Sequence, residues 1–452
     1  MAFITDKQTL DDLGIFGKPG SDSVYSLFNR TCTAGGAALL EEMFNYPLSN
    51  AEAMNDRLMA IQRFAIQKIN FPYTPDLFGL TEHYLQQTDE RTKLTHEHNT
   101  IGKKFLHFIQ SDADYKLLHK GVLALREIII TTWNFLHSLS PDDASSFTAE
   151  KISIIALLHE EPLMGLVHQK KNHTLSHAEV AEFDTVFRFK KRSEIKQILH
   201  FIYRLDVYIA VATVAVEKRF CFPKAFSEKS EGLRLTQAWH PLLKNAVPNT
   251  ITITAEKNIV FLTGANMAGK STFMKTLGIA VFLAHMGFPV AAEKIEFTVM
   301  DGLYTTINLA DNLGAGASHF YAEVMRIKKI AKELAIAKNL LVIVDELFRG
   351  TNVKDAYEAT IAVITSFAKR RASLFVISTH IIEAGEVIKE TCTNSQFLYL
   401  PTTMNGNVPI YSYQLKQGIT NDRHGMVIIN NEGILDILQP EKKQMVNELR
   451  NG

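Results

Sequence analysis

Apolar positions in the first half of the chain recur with a helical period. In "NAEAMNDRLMAIQRFAIQKI", Leu58, Ile61, Phe64 and Ile69 fall at near-helical spacing, which predicts an amphipathic helix. "TAGGAALLEEMFNYPLS" predicts another, opened by Thr31 and Thr33 and stopped near Pro47. Similar periods cover residues 115–136, 151–157 and a long segment from about 178 to 220. The end of that segment, "LDVYIAVATVAVEKRF", is apolar on most sides and reads as a buried helix closed by Pro223. Near "WHPLLKNAVPNTITI", residues 239–253, the period changes. "NIVFLTG", "NLLVIVDE" and "SLFVISTH" are continuous apolar runs separated by helical patterns, as expected of parallel strands buried on both faces.

The expected fold class is therefore α + α/β, an all-helical domain followed by an α/β domain with a mainly parallel sheet. The composition shift near residue 236 separates a helical domain from an α/β domain, and the expected bounds are an N-terminal segment at 1–24, the helical domain at 25–235, the α/β domain at 236–435 and a short helical tail at 436–452. The longest apolar run, "LGIAVFLAHMGFPV", is too short to span a bilayer and is interrupted by His285, so it predicts a buried helix. No membrane partner is expected.

Charge narrows the partners. The formal net charge is zero, so nucleic acid would have to be held by local patches rather than by a global basic field. Cys32, Cys221 and Cys392 are far apart and match no metal spacing. Together with the lack of a signal-peptide pattern in "MAFITDKQTLDDLG", they point to a reduced, cytoplasmic setting.

The chemistry concentrates after residue 260. "GANMAGKS" runs through Gly264, Ala265, Asn266, Met267, Ala268, Gly269, Lys270 and Ser271 and fits G-x-x-x-x-G-K-[ST], with an expected strand before it and a helix after it. Such a loop wraps phosphate oxygens in backbone N–H groups at a helix N-terminus. Lys270 would reach the β- and γ-phosphates of ATP, and Ser271 would ligate Mg²⁺. Asp345 ends an apolar strand, where its carboxylate can hold the Mg²⁺ shell. Glu346 follows it and can orient or deprotonate an attacking water. His380 ends another apolar strand, where it can sense the γ-phosphate.

Together these motifs resemble the MutS family of mismatch-repair ATPases, a branch of the ABC-type ATPases. "TGANMAGKST", through Thr272, is similar to its phosphate loop, "DELFRGT" to its acidic strand end, "STHIIE" to its histidine switch and "DNLGAGASHFYAEV" to its signature loop. "SLFNRTCTAGGAALLEEMFNYPL" and "LDVYIAVATVAVEKRFCFP" resemble its first core helix and the end of its lever helix. The resemblance implies a homodimer with composite sites. Ser318, freed for close approach by Gly314 and Gly316, would close in trans on the γ-phosphate held by the other copy. Asn266 would contact the nucleotide. Tyr413 holds the position that stacks on adenine, although a plain strand aromatic is an equal reading of it.

The chain also departs from the family pattern. Ala246 stands where an aromatic often covers the other adenine face, Ala268 replaces a glycine of the phosphate loop, and Phe348 replaces a glycine behind Glu346. Because the core-like helix begins near residue 25, neither the mismatch-reading domain nor the connector that precede the core in that family is expected, and the DNA clamp is expected to be reduced or absent. Two basic clusters could hold duplex or branched DNA, one with Lys170 and Lys171, the other with Arg188, Lys190, Lys191 and Arg192. A solvated helix surface is the preferred reading of these charges, with DNA contact the alternative. The functional expectation is an ATP-switched, dimeric DNA-binding protein of the repair or recombination type that does not itself read mismatches. The alternative is an ATP-driven protein-interaction switch without DNA contact.

Overall fold

The computed structural model describes residues 3–17, 20–94, 112–139, 146–167, 174–227, 232–307, 319–336, 339–348, 350–405, 408–420, 429 and 433–438. A helical N-terminal part is followed by a domain of mixed sheets.

The helical part contains α1 (Lys7–Asp12), α2 (Val24–Phe28), α3 (Ala34–Asn45), α4 (Ala51–Gln67), α5 (Asp76–Gln86), α6 (Asp112–Ser138), α7 (Ser146–His159), α8 (Leu163–Val167), α9 (His177–Thr185) and α10 (Arg192–Lys218). The caps sit where the sequence offers them. The Thr33 side chain accepts from Gly36 N at the start of α3, and the Asn50 side chain accepts from Ala53 N at the start of α4. α10 packs against α3 and α4. It is long and apolar enough by length and composition to cross a membrane, yet 78% of its most apolar window is buried inside the fold. Asp206, buried within α10, accepts from Cys32 N at 2.9 Å, Thr33 N at 2.8 Å and Thr33 Oγ1 at 2.7 Å. One carboxylate thereby fastens the start of α3 to the long helix.

The second basic cluster is not the surface patch its sequence offered. α9 passes into α10 through a π-helical segment, Val186–Lys190. Arg188 lies in that segment with its side chain fully buried. Its Nε and NH2 donate to the two oxygens of Asp184, each at 2.6 Å, and its NH1 donates to Gln87 O at 3.0 Å and Thr92 Oγ1 at 2.7 Å. Asp184 also accepts from Tyr84 Oη at 2.8 Å and Leu94 N at 3.0 Å. A buried ion pair must have its remaining donors and acceptors met, and here the stretch around residues 87–94 meets them. Arg188 is a core pin and is withdrawn as a DNA contact. Lys191 is paired with Glu160 at 2.6 Å and Glu194 at 3.2 Å, and Arg192 donates to Leu85 O at 3.3 Å. Lys190 is exposed. Lys170 and Lys171 lie outside the described residues.

The sheet domain contains β1 (Lys224–Phe226), β2 (Leu233–Ala238), β3 (Asn249–Ile253), β4 (Ile259–Gly264), α11 (Lys270–His285), β5 (Lys294–Thr298), β6 (Gly302–Thr306), α12 (His319–Ile336), β7 (Leu340–Val344), α13 (Val353–Ala368), β8 (Leu374–Ser378), α14 (Ile382–Thr391), β9 (Ser395–Leu400), β10 (Thr402–Asn405), β11 (Val408–Tyr411), β12 (Lys416–Gln417) and α15 (Ile434–Leu438). Among the described residues a six-stranded sheet has the order β12-β9-β4-β8-β7-β6. β4 lies parallel to β8 and β9, β7 lies parallel to β8 and β6, and β12 runs antiparallel at one edge. Strands β4, β7 and β8 are almost wholly buried, which is why they read as unbroken apolar runs. A second sheet, β1-β5-β2-β3, mixes parallel and antiparallel pairs. Its strands begin at Lys224, earlier than the composition shift near residue 236, because β1 and β2 both pair with β5 from beyond that shift.

The N-terminal segment belongs to the sheet. Ile4 bridges Gly302 in parallel, and a Cβ at Gly302 would come within 2.4 Å of Ile4 O. From α1, Asp12 accepts from Thr305 Oγ1 at 2.7 Å and Ile307 N at 2.9 Å. Asp6 forms ion pairs with Arg326 and Lys329 of α12. Burial pushes the Asp6 carboxyl up, but the hydrogen bonds from Arg326 and Lys329 prevail and hold it well below the usual carboxylate range.

His285 closes the joint between the two parts. It is fully buried at the end of α11, stacked 4.1 Å from Phe3. Its Nδ1 lies 3.0 Å from Leu48 O, and Met300 N donates to its Nε2 at 3.3 Å. A carbonyl only accepts, so Nδ1 carries the proton and the ring is neutral. Burial pushes its pKa from 6.5 to about 4, against a smaller upward pull from the Leu48 carbonyl and Asp301. The unfolded chain therefore takes this proton first. The linked stability is complete above pH 6.5 and is lost as pH falls toward about 4. The loss expected across that window is roughly 3 kcal/mol, at 1.36 kcal/mol per unit. Urea midpoints measured from pH 7 to 4 should fall more steeply for the unaltered protein than for His285→Gln. Equal slopes would remove His285 as the cause.

Candidate functional site

The segments that leave β4 and β7 of the six-stranded sheet border a cavity of about 540 Å³. Ala265, Asn266, Met267, Gly269, Lys270, Ser271, Thr272, Glu346 and Tyr413 all line it, so the structure brings together residues up to about 150 positions apart in the chain. Gly264 closes β4 just before the loop, and Asp345 and His380 follow β7 and β8 at the same end. Ser318, Gly314 and Gly316 lie outside the described residues.

The loop from β4 to α11 takes its shape from left-handed positions at Met267 (φ 69°) and Gly269 (φ 100°). A Cβ at Gly269 would come within 3.1 Å of the Tyr413 ring, so glycine lets that aromatic close on the loop. Ala268 is buried and is not among the residues with positive φ. The side chain it has in place of a glycine therefore costs the loop no freedom that it uses, and Met267 carries the strained φ instead.

Lys270 Nζ donates to Gly264 O at 2.8 Å and Ala265 O at 3.2 Å. Burial lowers its pKa, and the charges of Asp345 and Glu346 pull it back up. Ser271 Oγ donates to Asp345 Oδ2. A hydroxyl and a carboxylate in contact are two hard oxygen donors, the set that suits Mg²⁺, which keeps most of its coordination for waters and phosphate oxygens. Glu346 has φ 57°, and its Oε1 lies 2.6 Å from His380 Nε2. Phe348 also takes a left-handed φ, 61°, a conformation that a bulky side chain rarely holds. Its ring is buried and meets Phe320 of α12 edge-on at 5.8 Å. The glycine-like backbone is thus kept while the side chain joins the core.

Two further residues carry the site that sequence reasoning passed over. Asn249, at the start of β3, donates through Nδ2 to Tyr413 O at 2.9 Å and accepts from Leu415 N at 2.7 Å. It fixes the Tyr413 turn, whose φ is 56°, against the wall that contains Ala246 and Val247. Ser378, the last residue of β8, donates to Asp345 Oδ1 and accepts from Glu346 N at 3.1 Å. Its one advance sign was its place in "STH", directly before the dipeptide that ends in His380.

Helical body and sheet domain together define a two-part protein with a glycine-rich loop and paired acids at its strand ends. Sequence comparison identifies both parts. The family model of MutS domain III matches residues 8–212, and that of MutS domain V matches residues 260–450. The chain belongs to the MutS family. In that family domain V carries the ATPase region.

Proposed function

We propose that the chain is an ATP-hydrolysing switch that works as a dimer and engages DNA through its helical domain. The observation that supports this most is the meeting of the 265–269 loop, Lys270, Ser271, Glu346 and Tyr413 around one cavity. Tyr413 would stack on adenine, and Ala246, which also lines the cavity, adds no second ring. Loop N–H groups and Lys270 would hold the phosphates. Ser271 and Asp345 would hold Mg²⁺, which neutralises charge on the phosphate oxygens when bound. Glu346 would take the proton of the attacking water, with His380 2.6 Å away to orient it. A second copy would close on the nucleotide through its Ser318 loop and reopen after turnover. Asp6, bonded to the α12 that follows this loop, would pass the change to the N-terminal segment.

A second reading, a switch acting on a protein partner without DNA contact, gains support from the burial of Arg188 and the ion pairs of Lys191. One assay separates the two. Duplex, mismatched and branched DNA are offered with and without ATP over a salt series. Binding that weakens with salt and changes with ATP, without preference for the mismatch, is the expected result. No salt-dependent binding to any of these DNAs overturns the DNA half of the proposal and leaves the second reading.

A further inference from the structure

We infer that Ser378 is a positioning residue that sets both acids of the site, and that its hydroxyl governs how tightly the protein takes Mg²⁺ with nucleotide. The inference rests on the reading of Asp345 as the metal-side carboxylate and Glu346 as the base.

Ser378 is fully buried at the end of β8, between β4 and β7 in the sheet. A hydroxyl has one proton to give, and a carboxylate oxygen can only accept it. Ser378 gives that proton to Asp345 Oδ1, so its own lone pair is free for Glu346 N, which donates at 3.1 Å. The other oxygen of Asp345, Oδ2, accepts from Ser271. The carboxylate is thereby held at both ends. Oδ1 is turned toward β8, and Oδ2 is turned toward the serine of the loop.

The second bond acts on the backbone. Glu346 sits at φ 57°, a left-handed conformation that is strained for a non-glycine residue. The acceptor at Ser378 helps to hold Glu346 N in that strained turn and directs the Glu346 side chain toward His380 and the cavity. One buried hydroxyl therefore fixes the rotation of one acid and the backbone of the next. Removing it deletes a single atom from the interior, so the fold should survive.

Partners that orient a metal ligand typically change metal affinity by about 10–100-fold when lost. The test is a Mg²⁺ titration of binding by a fluorescent ATP analogue, with EDTA as the metal-free arm, for the unaltered protein, Ser378→Ala and Ser378→Thr. Ser378→Ala should bind the analogue normally in EDTA, yet need about 10-fold more Mg²⁺ to reach its half-point. Ser378→Thr, which keeps the hydroxyl, should follow the unaltered protein. A half-point for Ser378→Ala within about twofold of the unaltered protein overturns the inference, as does weakening of equal size with and without Mg²⁺, the mark of a merely structural role. Should the unaltered protein itself show no Mg²⁺-dependent binding, the reading of Asp345 fails first and takes this inference with it.

Discussion

Glu346→Ala is expected to bind ATP about as tightly as the unaltered protein and to hydrolyse it about 100-fold more slowly or worse, the usual scale for loss of a positioned base. Glu346 lines the cavity but does not belong to the loop that would wrap the phosphates. Its Oε1 is committed to His380 at 2.6 Å, and its backbone is held by Ser378. Truncation at Cβ leaves those backbone bonds in place, so the strand end should keep its shape while the proton acceptor is lost. Equilibrium nucleotide binding and phosphate release, measured on the same preparation, separate the two effects. Hydrolysis at the unaltered rate would remove the role.

Lys270→Ala is expected to fail one step earlier, at binding. The ammonium donates to Gly264 O and Ala265 O, at the mouth of the loop where phosphate oxygens would lie. Loss of a charged donor costs about 1.5–3 kcal/mol per hydrogen bond, so affinity should fall by about 100-fold or more. Stability should not fall with it, because burial already disfavours the charged form of Lys270. A melting temperature at or above that of the unaltered protein, with nucleotide affinity gone, is the combined result expected. Undiminished affinity would show that the loop holds no phosphate at this position.

The strand-end motifs were legible because each is local. A buried strand must be an unbroken apolar run, and the residues that follow it are the ones that reach the open end of the sheet. "NIVFLTG", "NLLVIVDE" and "SLFVISTH" therefore announced β4, β7 and β8 together with the side chains at their ends. Residues whose role depends on distant partners stayed hidden. α1 is six residues long, too short to show a helical period, and its value lies in bonds to Thr305 and Ile307 nearly 300 positions away. Arg188 reads as one more charge in a basic run, and only the positions of Asp184, Gln87 and Thr92 reveal it as interior. Asn249 looks like a turn residue until Tyr413 and Leu415 arrive beside it. Phe348 and Ala268 were legible as departures from the family pattern, but their consequences were not. One takes the left-handed φ that its position demands, and the other stands where none is needed.

The same distinction explains why the nucleotide reading outruns the DNA reading. The cavity gathers its candidates by backbone geometry, whereas the basic cluster is partly consumed by Asp184, Glu160 and Glu194. Among Arg188, Lys190, Lys191 and Arg192 only Lys190 is exposed, so this cluster lends the DNA reading little support.

Phosphate release from ATP with Mg²⁺ by the unaltered protein, Lys270→Ala and Glu346→Ala, with bound nucleotide measured in parallel, decides whether the chain is a nucleotide-driven switch. Turnover and binding are expected in the first, neither in the second, and binding without turnover in the third. Equal phosphate release from all three would contradict such a switch.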